Sequence, residues 1–194
     1  LVNAPAVAEA SATDRQLPIY CVQRDQKMLA ISFDAAWGNE DTQQLIDILG
    51  KYNVKATFFV VGDWVDKYPE SVKALHDAGH EVMNHSNSHA HMSQLSSEAI
   101  VADVEACNDK IEAVTGVRPT LIRPPYGEYD NNVITSIRSI GMEPIQWDVD
   151  SLDWKDLPAG EITERVVSRV QPGSIVLFHN AALHTPEALP AILE

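Results

Sequence analysis

Short apolar runs alternate with helical patterns along most of this chain, and that alternation constrains the fold more than any other feature. Lys27 to Phe33 is an apolar run ending at Asp34, which reads as a buried strand that delivers a carboxylate. Leu45, Ile46, Leu49 and Tyr52 then recur at helical spacing behind a candidate cap at Asn39 or Asp41. A second strand is expected over 55–61, and a helix over 69–78 with Pro69 in its first turn and Gly79 at its end. A third strand follows over 81–84. The longest helix is expected over 96–115, with Ile100, Val104, Cys107, Ile111 and Val114 as its apolar stripe and Gly116 as its stop. Beyond it come a strand over 120–123 cut short by Pro124-Pro125, a helix over 131–140 and a strand over 143–149. A helix over 160–170, a strand over 174–178 and a final helix from Pro186 complete the pattern. Strands and helices in alternation, joined by short connections, predict a parallel α/β fold, either a barrel or a doubly wound sheet.

The 194 residues suffice for one domain with a sizeable core. A formal net charge of −14 speaks against nucleic acid as a partner, because phosphate binding needs a basic surface. It also disfavours a strongly anionic polymer, unless a local patch overrides the total. No run of about eighteen apolar residues occurs, so no membrane span is expected. Cys21 and Cys107 fall in unrelated elements and are read as free thiols, with a single pairing as the alternative. Leu1 to Thr13 is Ala-rich without hydrophobic periodicity, and is expected to be a linker left after removal of an export or anchor segment. Residues 1–26 are taken as linker and lead-in, and 27–194 as one domain whose C-terminal end is open to truncation.

The densest chemistry lies in Asn84-His85-Ser86-Asn87-Ser88-His89-Ala90-His91. His85 and His89 stand four apart, which on a helical turn would bring both imidazoles to one face, close enough for one metal ion. The bland alternative is a polar loop with incidental histidines. His76 and His80 share that spacing, but Gly79 interrupts any helix between them, so His76 is read as helix surface and His80 as a turn residue. Asp34, the His85/His89 pair, Arg123 to Tyr126, Asp148 with Asp150 and Asp153-Trp154, and His179 each follow the end of an expected strand. In a parallel barrel those ends share one face. Taken singly, Asp34 could be a helix cap, Arg123 a structural ion pair, Asp153 a turn cap, Trp154 core and His179 a satisfied buried histidine. Five strand ends together point to a site.

From about Lys27 onward the pattern resembles the polysaccharide deacetylase family, the NodB-homology domains of carbohydrate esterase family 4. Ser32-Phe33-Asp34 resembles its first motif, His85-Ser86-Asn87-Ser88-His89 its second and Arg123-Pro124-Pro125-Tyr126 its third. Asp150-Ser151-Leu152-Asp153-Trp154 resembles its fourth and Ile175-Val176-Leu177-Phe178-His179 its fifth. The resemblance implies a distorted or incomplete (β/α) barrel. It implies Asp34 as catalytic base, Arg123 ordering that base, His179 as general acid and Asp153 tuning it. It also implies His85 and His89 as metal ligands. Tyr126 would supply a backbone N–H to the oxyanion, Trp154 would wall the sugar pocket with Pro124 beside it, and Leu177 would line the acetyl pocket. The family's first motif usually carries a second aspartate as third metal ligand, and Ala35 stands there. Asp34 itself, water, Glu40 or Asp41 are the candidates to replace it, with Asp34 or water favoured.

The function so implied is a deacetylase dependent on a divalent metal, zinc first, with cobalt, manganese or nickel as alternatives. Its substrate would be N-acetylglucosamine-type residues of a cell-wall glycan, peptidoglycan before chitin, with acetate as product. Competing readings are an O-acetyl xylan or chitin-type deacetylase and a catalytically silenced glycan-binding domain. A monomer is expected, outside the cytoplasm, secreted or anchored at a bacterial cell surface.

Overall fold

A computed structural model describes residues 14–194. Seven parallel strands form one sheet: β1 (Ala30–Ala35), β2 (Thr57–Val60), β3 (Glu81–Asn84), β4 (Leu121–Ile122), β5 (Glu143–Pro144), β6 (Val149–Asp150) and β7 (Ile175–His179). Their order is β5-β4-β3-β2-β1-β7-β6. The sheet curls into a half-barrel surrounded by helices, the distorted barrel anticipated from the motifs. The helices are α1 (Thr42–Lys51), α2 (Gly62–Lys67), α3 (Pro69–Asp77), α4 (Ser97–Thr115), α5 (Asn131–Ser139), α6 (Ala159–Val167) and α7 (Thr185–Leu193).

The centre of the sheet is where the apolar runs are strongest. Phe33 on β1 stacks on Phe58 of β2 with centroids 4.8 Å apart, and on Phe178 of β7 at 5.5 Å. These rings face the helices, where Leu45, Leu49, Val65, Val72 and Ile111 close the core. Alternation along β1 then turns Ser32 and Asp34 to the inside of the barrel. The register pairs Asp34 with His179 across β1 and β7, and Val60 with Asn84 across β2 and β3.

Two expectations need correction. The strand expected over 143–149 is two: β5 pairs with β4 at one edge and β6 pairs with β7 at the other. The intervening residues cross the barrel opening, so no single ladder can hold them. Asp148 lies on that crossing, and its carboxylate accepts from Ile175 N (2.7 Å) and Ser174 Oγ (2.8 Å), a structural duty rather than a site one. Helix α2 was absent from the expected pattern because six residues are too few to show helical periodicity; Trp64 and Val65 anchor it in the core. His80 closes the turn after α3, where its backbone N–H donates to Leu75 O. It is buried, and its Nδ1 accepts from Ala56 N at 3.1 Å, joining the starts of β2 and β3.

The lead-in is also more than a linker in its described part. Ile19 pairs with Ile145 and Cys21 with Ser174, so this segment runs from the β5 edge to the start of β7. Residues 1–13 lie outside the described part. Cys21 is exposed, Cys107 is buried, and both are free thiols. No helix among the described residues is long and apolar enough to cross a membrane.

Candidate active site

Parallel strands deliver their C-terminal ends to one mouth of the half-barrel. There a cavity of about 500 Å³ is lined by Asp34, Trp37, His85, His89, Tyr126, Trp147, Asp150, Trp154, Leu177 and His179 among others. The candidates from all five motifs therefore meet in one place. Pro124 does not join them: it is buried behind the wall, where it shapes the turn after β4.

The two histidines arrive by a loop, not by a helical turn. His85 directly follows β3, with its N–H on Val60 O. His89 sits in the left-handed region (φ 56°), as does Ser86 (φ 72°), and such strain in non-glycine residues persists only where surroundings hold it. Here they do. Asn84 Nδ2 donates to Val104 O and to Asn108 Oδ1, while its Oδ1 accepts from Ser86 N. The first two N–H groups of α2 donate to Ser86 O and Asn87 O, both at 2.9 Å. Gly62 permits that approach, since a Cβ there would lie 2.3 Å from Asn87 Oδ1. The result brings the two imidazole centroids within 5.0 Å.

Two buried acid–base pairs flank them. Arg123, wholly inaccessible, donates from one guanidinium nitrogen to Asp34 Oδ1 (2.9 Å) and from the other to Gln146 O (2.8 Å). Its guanidinium also lies 4.3 Å from the Phe59 ring centre. Burial opposes the Asp34 charge, but positive neighbours outweigh it and hold the carboxyl below its usual range. Of these, His85 contributes only when protonated, whereas Arg123 carries a permanent charge. On the other side Asp153, also wholly buried, accepts from His179 Nδ1 (2.9 Å), His179 N (2.8 Å) and Thr185 Oγ1 (2.7 Å). Burial again opposes charge on His179, yet the Asp153 bond and the carboxylates of Asp34 and Asp150 raise its pKa. With Nδ1 committed to Asp153, Nε2 is left for the cavity.

A metal fits part of this site. His85 Nδ1 meets Arg123 O at 2.6 Å, which assigns the proton to Nδ1 and leaves a lone pair on Nε2. That Nε2 lies 3.6 Å from the free oxygen of Asp34. Burial keeps both imidazoles neutral, His89 down to about 4, and its Nδ1 is buried without a partner. Two neutral imidazoles beside a carboxylate are a donor set for a divalent ion. Among the described residues, however, no three His, Cys, Asp or Glu side chains form a ready cage. Ala35 is buried on the helix side of β1, in the same core cluster as Phe33. Asp41 is turned to Ala181 N (2.9 Å), and neither it nor Glu40 lines the cavity.

Residue-by-residue reading missed the supports: Asn84, Asn108, Gln146 and Thr185. Each is an ordinary polar residue in sequence, and its burial is the only signal that marks it. Asp150 was grouped with Asp148, but it alone lines the cavity, where its Oδ1 accepts from Leu152 N at 2.9 Å.

A parallel half-barrel with histidines and two tuned acid–base pairs at its C-terminal mouth defines a class of α/β proteins with a polar ligand cavity at the strand ends. Residues 22–145 match the family profile described as polysaccharide deacetylase, and the chain belongs to that family. It is similar to a peptidoglycan-N-acetylmuramic acid deacetylase of Bacillus subtilis (36% identity over 89% of this chain and 36% of the relative). It is also similar to a peptidoglycan-N-acetylglucosamine deacetylase of Bacillus cereus (34% over 78% of this chain and 55% of the relative). The chain thus spans between about a third and a little over half the length of these curated relatives. Among solved structures, a CE4 family pseudoenzyme from Bacillus anthracis superposes with a TM-score of 0.88 at 37% identity, over 91% of this chain and 63% of that one. A mutant of that pseudoenzyme is described as having restored enzymatic activity.

Proposed function

We propose that this domain is a metal-dependent deacetylase that hydrolyses the N-acetyl group of N-acetylglucosamine-type residues in a cell-wall glycan, peptidoglycan first, and releases acetate. The observation that carries the reading is the convergence of the Asp34–Arg123 and Asp153–His179 pairs on one cavity with two neutral histidines. A binding module has no use for a base held ionised opposite an acid held protonated.

His85 and His89 would hold the ion, with the free oxygen of Asp34 or solvent beside them. Zinc suits such a set, with cobalt, manganese or nickel as alternatives. When bound, it polarises the acetyl carbonyl and acidifies water. Asp34, oriented by Arg123, accepts the proton from the attacking water. The Tyr126 backbone N–H donates to the developing oxyanion. Leu177 shelters the acetyl methyl. His179 delivers its Nε2 proton to the departing amine, and Asp153 sustains the resulting charge balance. Trp37 and Trp154, both exposed at the rim, offer faces to the sugar. A cell-wall substrate places the domain outside the cytoplasm, secreted or anchored, and one copy of the cavity is complete in a monomer.

The reading is tested by acetate release from peptidoglycan, N-acetylglucosamine oligomers, chitin and acetylated xylan, with zinc titrated from a metal-stripped protein. Release from the amino-sugar polymers that rises with zinc is expected; release from xylan alone would instead identify an O-acetyl esterase. A second reading, a silenced glycan-binding domain, is favoured by Ala35 and by the likeness to the pseudoenzyme. Saturable glycan binding without acetate at any zinc concentration would select it.

A further inference from the structure

The third histidine of the cluster has no part in the chemistry above, yet it is not idle. His91 lies parallel to the Tyr126 ring, with centroids 4.1 Å apart and planes within 2°. Its Nδ1 meets Glu128 Oε2 at 3.0 Å. On its own account the ring of His89 packs edge-on against Tyr126 at 4.5 Å. Tyr126 is thus flanked by His89 and His91 of the loop after β3, while it belongs to the turn after β4. Its backbone is in the left-handed region (φ 63°), a strained conformation for a non-glycine residue that needs support from around it.

We propose that His91 is a positioning residue: stacked on Tyr126 and tied to Glu128, it clamps the turn 124–128 onto the histidine loop and so keeps the Tyr126 N–H at the cavity. Besides the edge-on His89 contact, two ties join these loops. The inner one is His85 Nδ1 on Arg123 O, at the buried base. The outer one is the His91–Tyr126–Glu128 stack, and His91 and Tyr126 are both exposed there. Without the outer tie, Tyr126 keeps an exposed ring and a strained backbone, restrained by the edge-on His89 contact and the local Glu128 N to Pro125 O bond. The stack also occupies one face of the Tyr126 ring, so that face is closed to a sugar. His91 itself is no ligand: Glu128 takes its Nδ1, and the ring is outside the cavity lining.

The effect on turnover rests on the deacetylase reading; the clamp does not. The test compares the full chain with His91→Ala, His91→Phe and Glu128→Gln. Amide exchange over 124–128, zinc affinity by calorimetry, and kcat and KM on an N-acetylglucosamine oligomer are measured. His91→Ala is expected to exchange faster in that turn and to lose about 2- to 10-fold in kcat, the range an aromatic pair supports. KM and zinc affinity should move less than about twofold, since neither ligand is touched. His91→Phe should restore both exchange and kcat by keeping the stack, and Glu128→Gln should fall between. Unchanged exchange in His91→Ala overturns the proposal. So does faster exchange without loss of kcat in an active parent, failure of His91→Phe to rescue, or a loss of zinc as deep as that of His89→Ala. If the parent releases no acetate, exchange alone decides the clamp: faster in His91→Ala and restored by phenylalanine supports it, and only the catalytic reading fails.

Discussion

On the proposed reading a proton has to reach the departing amine, and His179 is the group placed to supply it. Its Nδ1 and backbone N–H are both fixed by Asp153, so rotation of the ring is closed off. His179→Ala is expected to lower turnover on the amide by about 10²–10⁴-fold while zinc and glycan binding persist. An activated aryl acetate, whose leaving group needs little protonation, should be spared most of that loss. Equal losses on both substrates would make His179 a structural residue. Ala35 poses the opposite question. It packs wholly buried beside Phe33, so a carboxylate there is costly unless a cation meets it. We expect Ala35→Asp to lower Tm in metal-free protein, to regain it with zinc, and to raise both zinc affinity and activity at low zinc. A lower Tm with no gain in zinc affinity would show that the side chain at 35 stays in the core.

At the scale of elements, the site depends on loops braced from beneath by helix ends and strand starts. His80 is one such brace. As an acceptor from Ala56 N it must be neutral, and burial, aided by the Lys55 charge, holds its pKa below the ordinary value. In the unfolded chain His titrates near about 6.5. Above that pH it is neutral in both states and adds no slope. Below it the unfolded chain takes a proton that the folded one refuses, so stability falls as pH drops, until the folded pKa is reached. His80→Gln should flatten the stability profile below about pH 6.5, by at most about 1.4 kcal/mol per pH unit for one proton. Urea melts of both proteins at several pH values measure it; parallel profiles would remove His80 from the account. The strands were legible in outline because β1, β2 and β7 are dense apolar runs. β5 and β6 were not separable, because a two-residue strand has no period to read.

For the molecule as a whole, the described lead-in ties the β5 edge of the half-barrel to the start of β7. Ile19 exchanges hydrogen bonds with Pro144 O and Gln146 N, and Val22 N donates to Gly173 O. Deleting residues 1–26 should therefore lower Tm and open the crossing 145–148, even though the cavity residues all lie beyond it. Thermal melts and proteolysis of the shortened chain test this. An unchanged Tm would return the lead-in to the status of a linker. The consequence for the site is direct, because Gln146, next to Ile145 on that crossing, gives its carbonyl to Arg123.

Taken alone, the sequence was enough for the alternation of strands and helices, for the residues at the strand ends and for the family. Those depend on local patterns: apolar runs, caps, glycine stops and motif order. It was enough to expect Asp34 near Arg123 and Asp153 near His179, and the geometry places each pair in contact. Only the tertiary structure decided how the pieces meet. It set Asp34 against His179 through strand register, split 143–149 between two edges and seated His89 through a strained loop. It also withdrew Pro124 from the wall, buried His80 and turned His91 onto Tyr126. The physical reason is common to all of these. Burial and register depend on which distant strand lies alongside, and spacing along the chain carries no record of that.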